Sequence, residues 1–205
     1  MESLSNERTQ MGKRIVVFQG HPDPAGGHFG HALVEAYTEG AREAGHEVSR
    51  IDIARLDFPW LQTAKDFEQG KPPAAIGEAQ HAIEQADHVV FFYPLWLGDM
   101  PAILKAFLEQ TFRPGFVTDS EAGMSSFGSR RLKGKSARLV VTMGMPGFFY
   151  RLFYRAHSVK SFRRNILRFC GFRPVRTTVI GVAVGGDKAR KKCLRRLQGM
   201  GRAGR

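Results

Sequence analysis

A stretch rich in glycine and histidine, HPDPAGGHFGHAL at residues 21–33, follows directly on the apolar run RIVVFQG. Its adjacent glycines, Gly26 and Gly27, permit a close approach of the backbone to a bound group. A helix that begins near His28 would direct its unpaired backbone N–H groups, and the positive end of its dipole, at the same loop. This combination predicts a binding site for a phosphate group.

Two better-known phosphate-binding patterns are excluded by their spacing. The loop contains no G-x-G-x-x-G, so it is not the fingerprint of dinucleotide-binding proteins. The later stretch GSRRLKGKS, residues 128–136, has one residue too many for a Walker A loop, and it precedes a strand where a Walker A loop would follow one. The predicted phosphate site therefore belongs to a different class of loop.

Three histidines in this stretch, His21, His28 and His31, raise the alternative of a metal site. They occupy a loop and a helix start without the carboxylate or cysteine ligands that accompany histidine in a typical metal site. We therefore expect no metal. The two cysteines, Cys170 and Cys193, cannot form a disulfide framework or a zinc site and are interpreted as reduced structural thiols.

Short apolar runs alternate with amphipathic segments along most of the chain. The pattern predicts strands at 14–19, 47–53, 87–94, 136–144 and 175–184, and helices at 28–44, 76–86, 101–112 and 156–169, followed by a basic final helix. This alternation is typical of an α/β fold in which helices cover both faces of a parallel sheet. In such sheets ligands bind beyond the carboxyl ends of the strands, near the point where the strand order reverses.

Two further segments follow strands and have a composition that suits ligand binding. PLWLGDMP comes after the third strand, and TMGMPGFFY comes after the fourth. Both combine glycine or proline with aromatic or methionine side chains, as expected for a flat ligand whose rim is bound by backbone groups. We therefore expect three loops, after the first, third and fourth strands, to serve one ligand.

The length of 205 residues and the hydrophobic content of 42 % suit one domain with a substantial core. We expect a disordered segment at residues 1–13, a single domain at residues 14–198 and a basic tail at residues 199–205. The sequence has no apolar run long enough to span a membrane and no secretory signal, so a cytoplasmic location is expected.

Charge is distributed unevenly, because residues 1–112 carry a net charge of −7 and residues 113–205 a net charge of +19. Such a field could attract nucleic acid, anionic lipid or a phosphate-bearing small molecule. The terminal stretch KARKKCLRRLQGMGRAGR is interpreted more simply as a solvated helix face, since a run of charges specifies no partner. We expect no nucleic-acid partner, and peripheral contact with a membrane is left open.

Three stretches, HPDP…HFGHAL, FYPLWLGDMPAILKAFLEQTFRPGF and VVTMGMPGFFY…AH, together resemble the flavodoxin-like NAD(P)H:quinone oxidoreductases, a family that includes the ancillary oxidoreductases of potassium-efflux systems. The resemblance extends from about Arg14 to about Gly185 and is most specific in the middle stretch. It implies a flavodoxin-like three-layer sandwich on a five-stranded parallel sheet, with a flavin at the carboxyl edge. It also implies hydride transfer from NAD(P)H to the flavin and then to a quinone, both substrates using one pocket in turn.

The resemblance assigns four sets of residues to this site. The loop that binds the flavin phosphate contains His21, His28, Phe29, Gly30 and Ala32. The loop that lines the isoalloxazine ring contains Pro94, Leu95, Trp96 and Leu97. The turn that contacts the pyrimidine side of the ring contains Thr142, Met143, Gly144 and Met145. The catalytic tyrosine and histidine beside the substrate are matched by Tyr150 and His157.

Several of these assignments have simpler alternatives. Trp96 and Leu97 could instead cover the helix that follows, and His157 could cap or line a helix. The aromatic segment PGFFYRLFY could serve packing or a dimer surface. The chain also departs from the family, because Thr118 and Ser120 stand where its quinone reductases carry tyrosines. The preference for quinones is therefore open.

The sequence thus predicts a flavin-dependent NAD(P)H dehydrogenase of the quinone reductase type, with FMN favoured over FAD. NADPH is favoured over NADH by basic residues near the proposed site, namely Arg151, Arg155, Lys160, Arg163 and Arg164. A homodimer is expected, because one sheet leaves the outer face of the ring open and the aromatic segment is large. The alternative is a basic module that uses the same fold to bind nucleic acid or an anionic membrane surface without redox chemistry.

Overall fold

The computed structural model describes residues 12–117, 131–181 and 186–205 of the chain. Five strands form one parallel sheet in the order β2-β1-β3-β4-β5, which confirms the predicted sheet. The strands are β1 (Arg14–Gln19), β2 (Glu47–Asp52), β3 (His88–Pro94), β4 (Ser136–Met143) and β5 (Val175–Gly181). The strand order reverses between β1 and β3, so a ligand is expected outside the carboxyl ends of these two strands.

Helices connect the strands and cover both faces of the sheet. They are α1 (Phe29–Glu43), α2 (Ala64–Gln69), α3 (Ala74–Gln85), α4 (Ala102–Thr111), α5 (Gly147–Leu152), α6 (His157–Ser161), α7 (Arg168–Cys170) and α8 (Asp187–Arg202), with a 3-10 turn at Ile53–Arg55 and a π-helical turn at Phe162–Leu167 between α6 and α7. The helices predicted at 28–44, 76–86 and 101–112 are present with small shifts of their ends, and the one predicted at 156–169 is formed by α6, the π-helical turn and α7. Sequence analysis missed α2 and α5, which have only six residues each.

The central strands are buried on both faces, as their continuous apolar character requires. In β1, Val16 and Phe18 point into one core, and Ile15 and Val17 point into the other. Every residue of β3 before its last one is buried. The sheet is therefore packed from both sides, and the loops at its edges are attached to a rigid support.

The final helix packs unusually closely against α1 through two glycines. A Cβ atom built on Gly40 of α1 would lie 2.2 Å from the carbonyl oxygen of Gln198. A Cβ atom on Gly201 of α8 would lie 2.0 Å from the carbonyl oxygen of Tyr37. Both distances are shorter than any real contact, so only glycine permits this approach of the two helices.

The end of the chain is ordered where a tail was predicted. Helix α8 continues to Arg202, whose guanidinium pairs with Glu43 at 2.8 Å. Lys13 donates from Nζ to the carbonyl oxygen of Gly204 at 2.9 Å. Residues 199–205 are therefore the last turn of α8 and a short packed end. The disordered segment predicted at residues 1–13 lies, up to residue 11, outside the described residues.

In the described ranges, no helix is both long enough and apolar enough to cross a membrane. Cys170 is buried and Cys193 is half-buried, and within the described ranges neither forms a disulfide.

Candidate functional site

Three loops meet at the carboxyl edge of the sheet, as predicted. The N–H of Gly20, directly after β1, donates to the carbonyl oxygen of Phe92 in β3 at 2.7 Å. The N–H of Leu95, directly after β3, donates to the carbonyl oxygen of Thr142 in β4, also at 2.7 Å. The ring of His21 meets the edge of the Trp96 ring at 5.8 Å between centroids. The loops after β1, β3 and β4 therefore form one surface.

The loop after β1 is shaped by side chains that bind its own backbone. Gln19 Oε1 accepts the N–H of His21 at 3.1 Å, and His21 Nδ1 accepts the N–H of Asp23 at 3.1 Å. Asp23 Oδ1 accepts the N–H of Ala25 at 2.8 Å, an Asx turn. Gly26 follows with a φ of 82° and Gly27 with a φ of 76°, which glycine alone adopts at no steric cost. The loop thus turns the chain back toward α1.

The three predicted histidines are brought together in this loop. The rings of His21 and His28 stack at 4.1 Å between centroids, and His31 lies 5.1 Å from His21. Burial lowers the pKa of His21, and the neighbouring His28 and His31 lower it further. Burial also lowers the pKa of His31. His21 and His31 are therefore neutral at pH 7.

Sequence analysis overlooked a carboxylate among these histidines. Asp23 Oδ2 accepts a hydrogen bond from His28 Nε2 at 2.8 Å, and this bond is the main cause of the lowered pKa of Asp23. Asp23 lies between His21 and His28 in the same loop, so the turn of the loop brings its carboxylate to the histidine rings. Among the described residues, no group of His, Cys, Asp or Glu side chains is arranged to hold a metal ion.

The amino end of α1 has the features of an anion site. His28 is the N-cap in an extended conformation without a side-chain cap, and the first turn contains no acidic residue. In the described structure the N–H groups of Phe29 and Gly30 have no hydrogen-bond partner. A Cβ atom on Gly30 would meet nothing within 4 Å, so a side chain at this position would enter open space beside the end of the helix. The phosphate of a flavin fits this arrangement, since it carries negative charge and accepts hydrogen bonds.

The loop after β3 ends in a tight turn that presents two apolar side chains. Trp96 and Asp99 exchange two backbone hydrogen bonds of 2.8 and 3.0 Å, and Leu97 and Gly98 form the turn with φ values of 48° and 85°. Leu97 is fully exposed and half of Trp96 is exposed. Leu97 therefore does not cover the following helix, and its left-handed backbone is unfavourable for a bulky residue.

The turn after β4 contributes backbone groups, while one of its side chains belongs to the core. Met143 is buried, Thr142 and Met145 are half-buried, and Gly144 is exposed with open space around its Cα atom. In the described structure, the N–H groups of Gly144 and Met145 have no hydrogen-bond partner. These two N–H groups can bind the edge of a planar ligand, and the Met143 side chain cannot contact it.

Tyr150 and His157, the predicted catalytic pair, are in different environments. Tyr150 is 1 % exposed, and its hydroxyl lies 2.7 Å from Ser158 Oγ. His157 is exposed at the start of α6, where its N–H donates to the carbonyl oxygen of Tyr154 at 3.2 Å. The structure thus leaves His157 accessible, whereas the Tyr150 hydroxyl is enclosed and hydrogen-bonded within the protein.

Two arginines reach the first loop from distant parts of the chain and were missed by sequence analysis. Arg190 of α8 lies over the ring of Phe29, with its guanidinium carbon 5.7 Å from the ring centroid. Arg55 donates to the carbonyl oxygen of Pro24 at 2.9 Å. Both contacts join residues that are far apart in the chain. A single sequence gives no signal for such contacts, because only the fold brings the residues together.

An open groove of about 570 Å³ continues from the first loop along the end of β2. It is lined by Arg50, Ile51, Asp52, Arg55 and Leu56. Its charges are already paired, since Arg50 binds both Glu35 and Asp52, and Arg55 lies 3.8 Å from Asp52. The groove therefore offers no uncompensated cation to a second phosphate.

Comparison with known proteins places this geometry among flavodoxin-like proteins. Residues 13–200 match a family model described as a flavodoxin-like fold. An uncharacterized NAD(P)H oxidoreductase of Haemophilus influenzae is 29 % identical over 182 residues, which cover 86 % of this chain and 88 % of that protein. A ribosyldihydronicotinamide dehydrogenase-like protein of Penicillium crustosum is 28 % identical over 156 residues, or 64 % of this chain, and the match spans 57 % of that protein's length.

Solved structures agree with this placement. The NAD(P)H:quinone oxidoreductase of Methanothermobacter marburgensis superposes with a TM-score of 0.78 at 25 % identity, over 93 % of this chain and 95 % of that chain. An FMN-dependent NADH-azoreductase of Bacillus anthracis, solved in complex with FMN, superposes with a TM-score of 0.70 over 93 % of this chain and 98 % of that chain. Its 14 % identity limits the likeness to the fold.

Proposed function

Since this chain belongs to the family with the flavodoxin-like fold, we propose that it is a flavin-dependent oxidoreductase that uses a reduced nicotinamide to reduce a quinone-like acceptor. The observation that carries this proposal is the meeting of three loops at the switch point of the sheet, with a free helix end on one side and exposed apolar side chains on the other. The oxidoreductase class also agrees with the names of the relatives from Haemophilus influenzae and Methanothermobacter marburgensis.

The first loop and α1 would hold the phosphate of the flavin. The free N–H groups of Phe29 and Gly30 donate to it, and the dipole of the fifteen-residue helix α1 favours its charge. Arg190, placed over Phe29, adds a positive charge at the same end of the helix. The stacked rings of His21 and His28 close the other side of the site, and Ala32 is exposed one turn further along α1.

The other two loops would hold the ring. Trp96 and Leu97 present apolar surface from the turn after β3, beside the half-buried Pro94. The N–H groups of Leu95 and Trp96 are already used inside the protein, so they cannot serve the ring. The free N–H groups of Gly144 and Met145 would donate to its pyrimidine edge, where negative charge develops on reduction.

When bound, the flavin supplies the hydride chemistry, accepting a hydride from the nicotinamide and passing it to the acceptor. The residues of this chain bind it, orient its two faces and exclude water from one of them. His157 is the exposed titratable side chain that follows the turn after β4, and we assign it a role in proton exchange with the substrate. Tyr150 would act indirectly, by holding Ser158 and with it the start of α6.

FMN is the proposed flavin. An FAD would bring a second phosphate and an adenosine, and the groove beside the first loop has its arginines paired with Glu35 and Asp52. NADPH is the proposed donor, since Arg151 in the last turn of α5 and Arg155 shortly after that helix are exposed, and residues 131–181 contain no acidic residue. Thr118 and Ser120, the departures that concern quinone preference, lie outside the described residues.

A homodimer is proposed to complete the site. Five large apolar side chains on α5 and the turn after it are exposed, namely Phe148, Phe149, Leu152, Phe153 and Tyr154. Phe149 stacks on Phe153 at 5.2 Å between centroids, so the side chains form one patch. A patch of this kind beside a ligand site is typical of an interface. Sedimentation that finds only monomer at micromolar concentration would contradict this part of the proposal.

The decisive experiment is identification of the bound cofactor, followed by its reduction. Mass analysis of the extract from yellow purified protein is expected to find FMN. Stopped-flow mixing is then expected to show faster reduction by NADPH than by NADH, with an advantage that shrinks at high salt. Equal rates would remove the NADPH preference. A colourless protein that gains no flavin on incubation with FMN or FAD, and binds generic DNA or anionic vesicles, would support the basic interaction module in its place.

A further inference from the structure

The amino edge of the sheet carries two arginines, Arg138 and Arg176, that no carboxylate of the described residues pairs with. Arg138 of β4 and Arg176 of β5 are paired in register, so their Cα atoms lie about 4.8 Å apart on neighbouring strands. Like charges in this arrangement repel one another. Neither arginine forms an ion pair within the described ranges, and residues 131–181 contain no Asp or Glu. Arg176 is exposed to solvent, whereas Arg138 is not, so the lack of an ionic partner concerns Arg138 above all.

Arg138 is also buried, so the lack of an ion-pair partner for its charge costs more folding free energy than it would at the surface. It is 5 % exposed, and its Nη1 donates to Thr178 Oγ1 at 2.7 Å. Its Nε atom has no partner among the described residues. Burial lowers the pKa of this guanidinium, Tyr37 opposes that effect, and Arg176, Arg205 and Arg196 lower the pKa further. The end of α8 packs at the same place, since Thr178 Oγ1 lies 3.9 Å from Met200 Sδ. The N–H of Arg205 donates to the carbonyl oxygen of Met200 at 3.2 Å, and Arg196 lies one helical turn before Met200.

Two more buried polar atoms near Arg138 have no hydrogen-bond partner among the described residues. They are the hydroxyl of Tyr37 on α1 and Nε2 of His88 on β3, both in side chains that are 0 % exposed. Each of these side chains interacts electrostatically with Arg138. Buried polar groups without partners are rare in native proteins, and several together indicate a bound ion or water.

We propose that Arg138, Arg176, Arg196 and Arg205, here called the arginine corner, bind a small oxyanion of the phosphate class. Guanidinium groups bind phosphate through paired hydrogen bonds, and the Tyr37 hydroxyl is a further donor beside them. Arg138 lies five residues before the end of β4, about 17 Å along the strand. The arginine corner is therefore separate from the loop that would hold the flavin phosphate.

The ligand would join two parts of the fold. Arg138 and Arg176 belong to the sheet, whereas Arg196 belongs to α8 and Arg205 to the segment that follows it. A shared anion would tie α8 to the sheet at this end. At its other end α8 carries Arg190, which lies over Phe29 in the first loop.

Calorimetric titration of the full chain with inorganic phosphate at constant ionic strength tests the proposal. The test variants are Arg176→Gln and Arg196→Gln, both at exposed positions, so that Arg138 and the core remain intact. The control is Arg195→Gln, which removes the same charge from the neighbouring exposed position of α8. Each test variant is expected to bind phosphate at least tenfold more weakly than the wild type, and the control to bind it unchanged.

Two results would overturn the proposal: no phosphate binding by the wild type at 10 mM, or equal affinities for Arg196→Gln and Arg195→Gln. A Gly30→Asp variant, designed to lose flavin, is expected to keep its phosphate binding here, so this test does not depend on the cofactor. A parallel titration with glycerol phosphate distinguishes the sources of the ligand. Tighter binding of the ester would identify the ligand as a phosphorylated metabolite. Equal binding of the two, or tighter binding of inorganic phosphate, would identify it as the free ion.

Discussion

The two edges of the sheet offer opposite environments to an anion. At the carboxyl edge, glycines and a free helix end expose backbone N–H groups, while the carboxylates nearby are paired with His28, Arg50 and Arg55. At the amino edge, one buried guanidinium, that of Arg138, lies beside the exposed Arg176, and neither has an ion-pair partner among the described residues. The first arrangement offers backbone N–H donors to which Arg190 adds one positive charge, whereas the second offers several guanidinium groups whose excess charge an anion would compensate. The basic half of the chain therefore places more of its excess positive charge at the amino edge than at the proposed flavin site.

Two histidines show the same contrast. Burial lowers the pKa of both His21 and His88. At the carboxyl edge the charge of Asp23 opposes the effect on His21. At the amino edge Arg138 and Lys13 strengthen it, and the pKa of His88 falls to about 3. Burial is the largest cause of both shifts, and the neighbouring charges add to it or partly oppose it.

The largest expected effect is at the carboxyl edge. Gly30→Asp would place a carboxylate in the open space beside the amino end of α1, where it repels a phosphate. We expect flavin affinity to fall by roughly a hundredfold while the fold is retained. Flavin content and circular dichroism measure the two effects. Gly30→Ala is the control, since its methyl group meets nothing, and full flavin content in Gly30→Asp would show that the phosphate lies elsewhere.

Disturbing the packing between α1 and α8 is expected to cause a large loss of stability with no direct effect on the flavin site. Gly40→Ala would put a methyl group 2.2 Å from the carbonyl oxygen of Gln198 and should destabilise the fold by about 1–3 kcal/mol. Gly199→Ala in α8 is the matched control, because its methyl group meets nothing within 4 Å. Urea unfolding measures both variants. Equal unfolding free energies would show that the helices can move apart at little cost.

The pH dependence of stability tests the environment of His88. Its folded pKa of about 3 lies below the ordinary value of 6.5, so the unfolded chain takes up a proton first as the pH falls. This group therefore stabilises the fold fully above about pH 6.5, and its contribution declines below that by at most about 1.4 kcal/mol per pH unit. His88→Gln should lose stability less steeply than the wild type between about pH 6 and pH 4. Parallel curves of unfolding free energy against pH would contradict the assignment.

The smallest effect is expected at the turn after β3. Leu97→Gly removes an exposed side chain and relieves a left-handed backbone, so stability should rise by up to about 1 kcal/mol. If Leu97 covers the ring as proposed, flavin affinity should fall by about tenfold at most, through the loss of apolar contact. Fluorescence titration with FMN measures it. Unchanged affinity would mean that Leu97 faces something other than the flavin.

Local patterns were sufficient for most of the fold. The continuous apolar runs of β1 and β3, and the helical spacing of Leu33 and Tyr37 in α1, predict elements that the structure confirms. The predicted family is confirmed as well. It could be predicted because each of its motifs is a continuous stretch of sequence that directly follows a strand. Short elements such as α5 escaped prediction, since six residues hold too little periodicity to be recognised. The close packing of Gly201 against Tyr37, which draws the end of α8 onto α1, has no signal in the local sequence.

By itself, the sequence determined which residues sit directly after the strands, because strand periodicity and glycine positions are local properties of the chain. It therefore pointed to the first loop, the Trp96 turn and Gly144. The tertiary structure alone decided which of these groups are free. It buried the Tyr150 hydroxyl against Ser158, used the Leu95 N–H in the sheet, and brought Arg190 to Phe29 and Arg176 beside Arg138. These outcomes depend on contacts between residues far apart in the chain, and the energy of such contacts is set by burial and charge that only the folded arrangement creates.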